Sequence, residues 1–201
     1  MILGIRRWPI LPTLLVVVSA AIMVMLGLWQ LDRLAQKEAL LADYARAQTM
    51  SADAPWPGNN AEAITAVLYR HARLDCLSTT GEWQSIAGRN ADDRTGYVHL
   101  IECAIGDGRS AWVQAGWSPG PTPPAWTGGE VGGYIAHYPA GGGAKLVADT
   151  PLGGLEANAV PDPSELPNNH LAYAGQWFFF ALIALVIYVL ALRRKQSDAA
   201  R

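Results

Sequence analysis

The feature that most constrains this chain is a pair of uncharged apolar runs, one near each end. The first, Ile10 to Leu28, reads "ILPTLLVVVSAAIMVMLGL", and the second, 170–192, opens "HLAYAGQWFFF" and continues apolar to Leu192. About twenty helical residues at about 1.5 Å each match the roughly 30 Å hydrocarbon core of a bilayer. Pro9 and Pro12 fall where a helix begins and a missing N–H costs little. With 201 residues in all, two membrane helices leave room for one domain of ordinary size between them.

A cleavable signal peptide is the rival reading of the first run, because Arg6 and Arg7 precede it and Ser19-Ala20-Ala21 are small. The run continues past those residues to Leu28 and is followed by more helical pattern, so an uncleaved anchor is expected. Arg6 and Arg7 before the first run and Arg193, Arg194 and Lys195 after the second predict that both termini face the cytoplasm. Arg33 and Lys37 are a mild counter-signal. The predicted order is a cytoplasmic N-terminus (1–9), membrane helix 1 (10–28), an amphipathic extension (29–50), a periplasmic β domain with loops (51–169), membrane helix 2 (170–192) and a cytoplasmic tail (193–201). That order is a multi-pass protein of a bacterial inner membrane.

The extension "WQLDRLAQKEALLADYARAQ" places Leu31, Leu34, Leu41 and Tyr44 at helical spacing, with charged residues between them. Trp29 stands at the expected water interface, where an indole keeps its ring apolar and its N–H wet. Beyond it the texture becomes short alternating runs: "LYRHARLDCL", "EWQSIAG", "GYVHLIECAI", "RSAWVQAGW", "GYIAHYP" and "AKLVAD". In the third, Val98, Leu100 and Ala104 share one face, and Tyr97, His99, Ile101 and Cys103 the other. Asp107-Gly108 fits a hairpin tip. The fold class expected is a membrane protein of α+β type, with two transmembrane helices flanking a mostly antiparallel barrel or sandwich-like extracytoplasmic domain.

A formal net charge of −2 gives no basic stripe for nucleic acid. The chain has no P-loop, GxGxxG, HExxH or GxSxG pattern and no paired acid–base constellation, so no enzyme is expected. Cys76 and Cys103 would lie in an oxidising compartment. Their spacing leaves a disulfide and two buried thiols equally open, and a metal pair least favoured.

His71, His99 and His137 fall in expected strands and read as solvated or hydrogen-bonded strand histidines. His170 differs in its place. After Pro167, Asn168 or Asn169 is a good N-cap, which puts His170 in the first turn of the second membrane helix. The positive end of a helix dipole disfavours imidazolium, and neutral imidazole is the form that binds metal. His170, Tyr173, Ala174 and Trp177 follow i, i+3, i+4, i+7 spacing and share a face. The competing reading is a bare interfacial anchor, a role His, Tyr and Trp all fill.

The stretches "LGLWQLDRLAQKEALL" and "NNHLAYAGQWFFFALIALVIY" resemble the sequences that leave the first and enter the second membrane helix in the surfeit locus protein 1 family. These are assembly factors of haem-copper cytochrome c oxidase. "GYVHL" and "WVQAGWSPGP" resemble a strand pair that in the family ends in an Asn-Arg-Gly-Trp-type motif; here it reads Gln114-Ala115-Gly116-Trp117, without the arginine. The resemblance implies binding of haem a and its delivery to oxidase subunit I, with haem a synthase as a second partner. It implies His170 as the axial ligand of the iron; Tyr173, Trp177, Trp29 and Gln30 are the expected neighbours of the macrocycle. Two rival expectations stand beside it: a membrane-anchored oxidase scaffold that never touches haem, and a copper-handling factor using Cys76, Cys103 and a histidine.

Overall fold

The computed structural model describes residues 9–138 and 143–198. Arg6 and Arg7, the last residues of the expected tail (199–201) and part of the "PAGGGAKL" loop lie outside the described residues. In chain order the elements are helix α1 (Ile10–Gln48), α2 (Ala61–Val67), strands β1 (His71–Cys76), β2 (Ser78–Arg89), β3 (Thr95–Gly106), β4 (Arg109–Ser118), β5 (Gly129–His137), β6 (Ala144–Ala148), and helix α3 (His170–Asp198). The chain divides into two compact units: α1 up to Leu40 with the segment from Pro167 onward, and Leu41–Leu166.

In the first unit, α1 and α3 are both long and apolar enough to cross a membrane. Leu11, Leu14, Ile22, Met25, Leu182 and Leu190 are exposed. A buried core helix of a soluble protein would hide such residues, whereas lipid accepts them. Positions withdrawn from the surface recur at alternating three- and four-residue steps: Thr13, Val16, Ala20, Met23, Gly27, Gln30 and Leu34 on α1, and His170, Ala174, Trp177, Ala181, Ala184 and Tyr188 on α3. This is a seam of coiled-coil period. Its most buried members, Ala20, Ala174 and Ala181 with Gly27, are small, which lets two helices approach where lipid gives apolar side chains no reason to associate. A Cβ on Gly27 would come within 2.5 Å of the Phe178 ring. Three contacts fix the pairing as antiparallel: Gln30 with His170, Gly27 with Phe178, and Thr13 Oγ1 with the Tyr188 hydroxyl.

The second unit is a six-stranded mixed sheet in the order β1-β5-β6-β4-β3-β2. The six apolar runs each become a strand, and the Asp107-Gly108 tip joins β3 to β4 with both residues at positive φ, as a type I′ turn requires. The sheet is mostly antiparallel, as expected of a barrel or sandwich-like domain, and it is not a closed barrel. The sheet is open, since β1 and β2 are its edges, and β4 pairs with β6 in parallel over Trp112 to Gln114. Only Leu77 separates β1 from β2, too short a link to fold back, so the extended chain bends there and exchanges its partner β5 for β3. The disulfide Cys76–Cys103 spans that corner, with Cα atoms 5.3 Å apart.

One face of the sheet buries Ala72, Leu74, Ile101, Val113, Ile135 and Leu146 with Ile64, Leu68 and Tyr44. Ile64 belongs to α2, a short helix that the sequence reading left unassigned; Asn60 caps it by accepting from Ala63 N–H at 2.9 Å. Tyr44, from the last turns of α1, packs on Tyr69 with ring centroids 4.8 Å apart. The other face carries a smaller cluster of Val98, Leu100 and Trp117.

Candidate functional site

The helix pair positions most of the residues singled out in the sequence. Asn169 accepts the Tyr173 N–H through its backbone carbonyl at 3.2 Å, so Asn169 is the cap and His170 the first residue of α3. His170 is half-buried on the seam. Its Nδ1 lies 2.7 Å from Gln30 Oε1. An amide oxygen only accepts, so this contact calls for a proton on Nδ1, and a neutral ring bonded in this way has its lone pair on Nε2. Among the described residues Nε2 has no hydrogen-bond partner. The side-chain oxygen of Asn168, two residues earlier, is buried and also has no partner among the described residues.

The other three residues are arranged differently. Tyr173 and Trp29 are each 50% exposed and project away from the seam. Arg33 covers one face of the Trp29 ring, its guanidinium carbon 5.6 Å from the centroid, a cation–π contact. Trp177 is half-buried on the seam, two turns along α3 from His170, and meets Phe180 edge-on at 6.4 Å. The structure therefore joins His170 to Gln30 directly and leaves Trp29, Tyr173 and Trp177 in separate settings. The four-residue helical face expected on α3 is wider than the seam: Ala174 is buried while Tyr173 beside it is not. Sequence reasoning put Gln30 beside the site but missed its hydrogen bond to His170, because the two lie 140 residues apart and no local pattern connects them.

The remaining histidines are held by the sheet unit. His71 bridges two carboxylates, with Asp53 Oδ1 at 2.5 Å from Nδ1 and Asp149 Oδ2 at 3.2 Å from Nε2. The hydrogen bond from His71 holds the Asp53 carboxyl below the usual carboxylate range. His99 is fully buried between the Ser85 and Ser118 hydroxyls at 2.9 and 2.7 Å. Burial pushes its pKa below the ordinary histidine value, and both hydroxyls also donate to carbonyls, Ser85 to Pro121 at 2.8 Å and Ser118 to Gly120 at 2.7 Å. His137, at the end of β5, is exposed. Among the described residues no three His, Cys, Asp or Glu side chains gather as a metal site. With both cysteines in one disulfide, neither offers the thiolate that the copper reading requires.

The Gln114-Ala115-Gly116-Trp117 stretch does structural work. Gln114 Nε2 donates to Asn158 Oδ1 at 2.9 Å, and Asn158 Nδ2 returns bonds to the Gln114 and Ala148 carbonyls, both at 3.1 Å. Gly116 lets the segment after β6 cross closely: a Cβ there would lie 2.6 Å from that of Leu155. Trp117 exchanges backbone hydrogen bonds with Glu156 at 2.9 and 2.8 Å and donates its indole N–H to the Gly88 carbonyl at 3.2 Å. The motif lacks its arginine, yet an arginine from the β2–β3 turn, Arg94, lies over the Trp117 ring at 5.0 Å.

No curated protein matches the chain. A family model described as the SURF1 family matches residues 17–182, a span that takes in most of α1, the whole sheet and the first part of α3.

Proposed function

The chain belongs to the SURF1 family, which serves cytochrome oxidase assembly, and from that premise we propose that it carries haem a as cargo toward oxidase subunit I. The observation that supports this reading is the His170 imidazole, whose Nδ1 is engaged by Gln30 while Nε2 has no partner among the described residues. Histidine nitrogen is the commonest protein ligand of haem iron, and a ring already held by its far nitrogen suits that use. Haem, when held, supplies an iron that accepts a lone pair and a broad apolar macrocycle. His170 gives the lone pair. Tyr173 and Trp29, both exposed, offer ring surface at this helix end, and Trp177 offers its ring deeper along α3.

The chemistry is reversible coordination, with no bond in the cargo made or broken. A carrier must bind its cargo and also release it, so its affinity has to be moderate beside that of the receiving subunit. Haem a synthase is the chemically natural donor and subunit I the acceptor. The basic run Arg193, Arg194 and Lys195 beyond the second apolar segment supports an inner-membrane topology with cytoplasmic termini and a periplasmic sheet domain.

The test is to purify the full chain in detergent from cells that make haem a, and to count haem a per chain. The expected result is bound haem a in the wild type, near-complete loss in His170→Ala, and partial loss in Tyr173→Ala. A colourless wild type that still co-purifies with subunit I would mean that the chain is a scaffold. Full haem content in His170→Ala would mean that the iron is held elsewhere.

A further inference from the structure

We infer that Gln30 is a positioning residue for His170: it selects the Nδ1–H tautomer of the imidazole and so directs the Nε2 lone pair outward as the iron ligand. The role rests on the haem reading above and adds a residue and a mechanism to it. The carrying geometry is one contact across the helix pair, His170 Nδ1 to Gln30 Oε1 at 2.7 Å, with both side chains half-buried on the seam.

Free imidazole in water has two neutral tautomers, and its ring turns about its own side-chain bonds. A carbonyl oxygen fixed opposite Nδ1 removes both freedoms. It accepts only from N–H, so the proton is held at Nδ1, and the short contact fixes the ring plane. Outer hydrogen bonds of this kind orient metal-binding histidines and raise their basicity, and their loss commonly costs 10- to 100-fold in metal affinity. The backbone on each side is rigid. Gln30 lies within α1, and His170 begins α3 with its turn closed by the Asn169 carbonyl. Gly27, one turn from Gln30, meets Phe178, two turns from His170, so helix packing sets the distance that the hydrogen bond uses.

An acceptor of a different strength should tune the ligand without removing it. A carboxylate in place of the amide accepts the Nδ1 proton more strongly and gives the imidazole more anionic character, which stabilises ferric over ferrous iron. A thioether accepts weakly and leaves the tautomer unselected.

The experiment uses the full chain in nanodiscs. The first readout needs no haem: nitrogen NMR of the apoprotein with 15N-histidine, at a pH where the rings are neutral, assigning His170 by its absence in His170→Ala. The expected result is a protonated Nδ1 and an unprotonated Nε2 in the wild type and in Gln30→Glu, with the opposite tautomer appearing in Gln30→Met. The second readout is the reduction potential of added haem, expected to fall in Gln30→Glu and rise in Gln30→Met, with haem affinity 10- to 100-fold weaker in the methionine variant. An Nε2–H tautomer in the wild type, or one unchanged in Gln30→Met, overturns the inference. If the wild type binds haem through His170 but its potential is indifferent to both variants, the positioning role falls and the haem reading stands. A wild type that takes up no haem overturns the haem reading itself, with the tautomer result then describing only the helix pair.

Discussion

Lys145 donates from Nζ to Gln114 Oε1 at 2.7 Å, and burial pushes its pKa down to about 8 from 10.5. Between pH 8 and 10.5 the unfolded chain holds this proton and the folded chain does not, so stability rises with pH across that window and is flat below it. A shift of this size corresponds to roughly 3 kcal/mol. Thermal unfolding of the sheet domain in the detergent-solubilised chain should therefore give a wild-type-minus-Lys145→Met stability difference that climbs between pH 8 and 10.5. A difference independent of pH would mean that Lys145 is better solvated than its position implies. At this scale the sequence was legible wherever a residue's place along the chain carried the information. His170 stood out because it follows a cap and opens an apolar helix. Gln30's bond to it, and the bridging of His71 by Asp53 and Asp149, arise between residues distant in sequence, where only the folded chain supplies the neighbour.

The elements tell a similar story with a different cause. Alternation and turn residues located all six strands, because a half-buried strand must alternate and a type I′ tip must tolerate positive φ. The parallel β4–β6 pairing and the bend at Leu77 were not legible, since they depend on which distant strands meet. The seam between α1 and α3 was hidden for another reason. Positions facing lipid are as apolar as positions facing the partner helix, so the period shows only in side-chain size. Gly27 makes this testable. Gly27→Ala is expected to cost about 1 kcal/mol, because its Cβ would lie 2.5, 2.8 and 2.9 Å from three atoms of the Phe178 ring, which must shift. Gly27→Leu overfills the seam and should cost about 1–3 kcal/mol, widening the helix pair in spin-label distance measurements, with Phe178→Ala restoring the wild-type distance. The Cys76–Cys103 disulfide closes a loop with a sequence separation of 27, which chain-entropy arguments value at about 3–4 kcal/mol. Cys76→Ala/Cys103→Ala should lower the unfolding temperature of the sheet domain accordingly. An unchanged temperature would show that the corner at Leu77 holds without its strap.

For the whole molecule, two membrane-capable helices flank the sheet domain in the chain, and the basic run after α3 is the basis of the proposed topology. In a variant lacking Cys76 and Cys103, a single cysteine replacing exposed Asp93 should react with a membrane-impermeant maleimide in spheroplasts, and one replacing Lys195 only after lysis. The reverse pattern would invert the topology and put the His170 end of the helix pair on the wrong side for the proposed haem delivery. Coordination of haem iron by His170 is decided by the optical spectrum of the reduced protein, recorded for the wild type beside His170→Ala. Haem a bands are expected in the wild type and are lost, or shifted to those of a changed axial ligand, in the variant. Identical bands of equal intensity in both proteins would contradict that coordination.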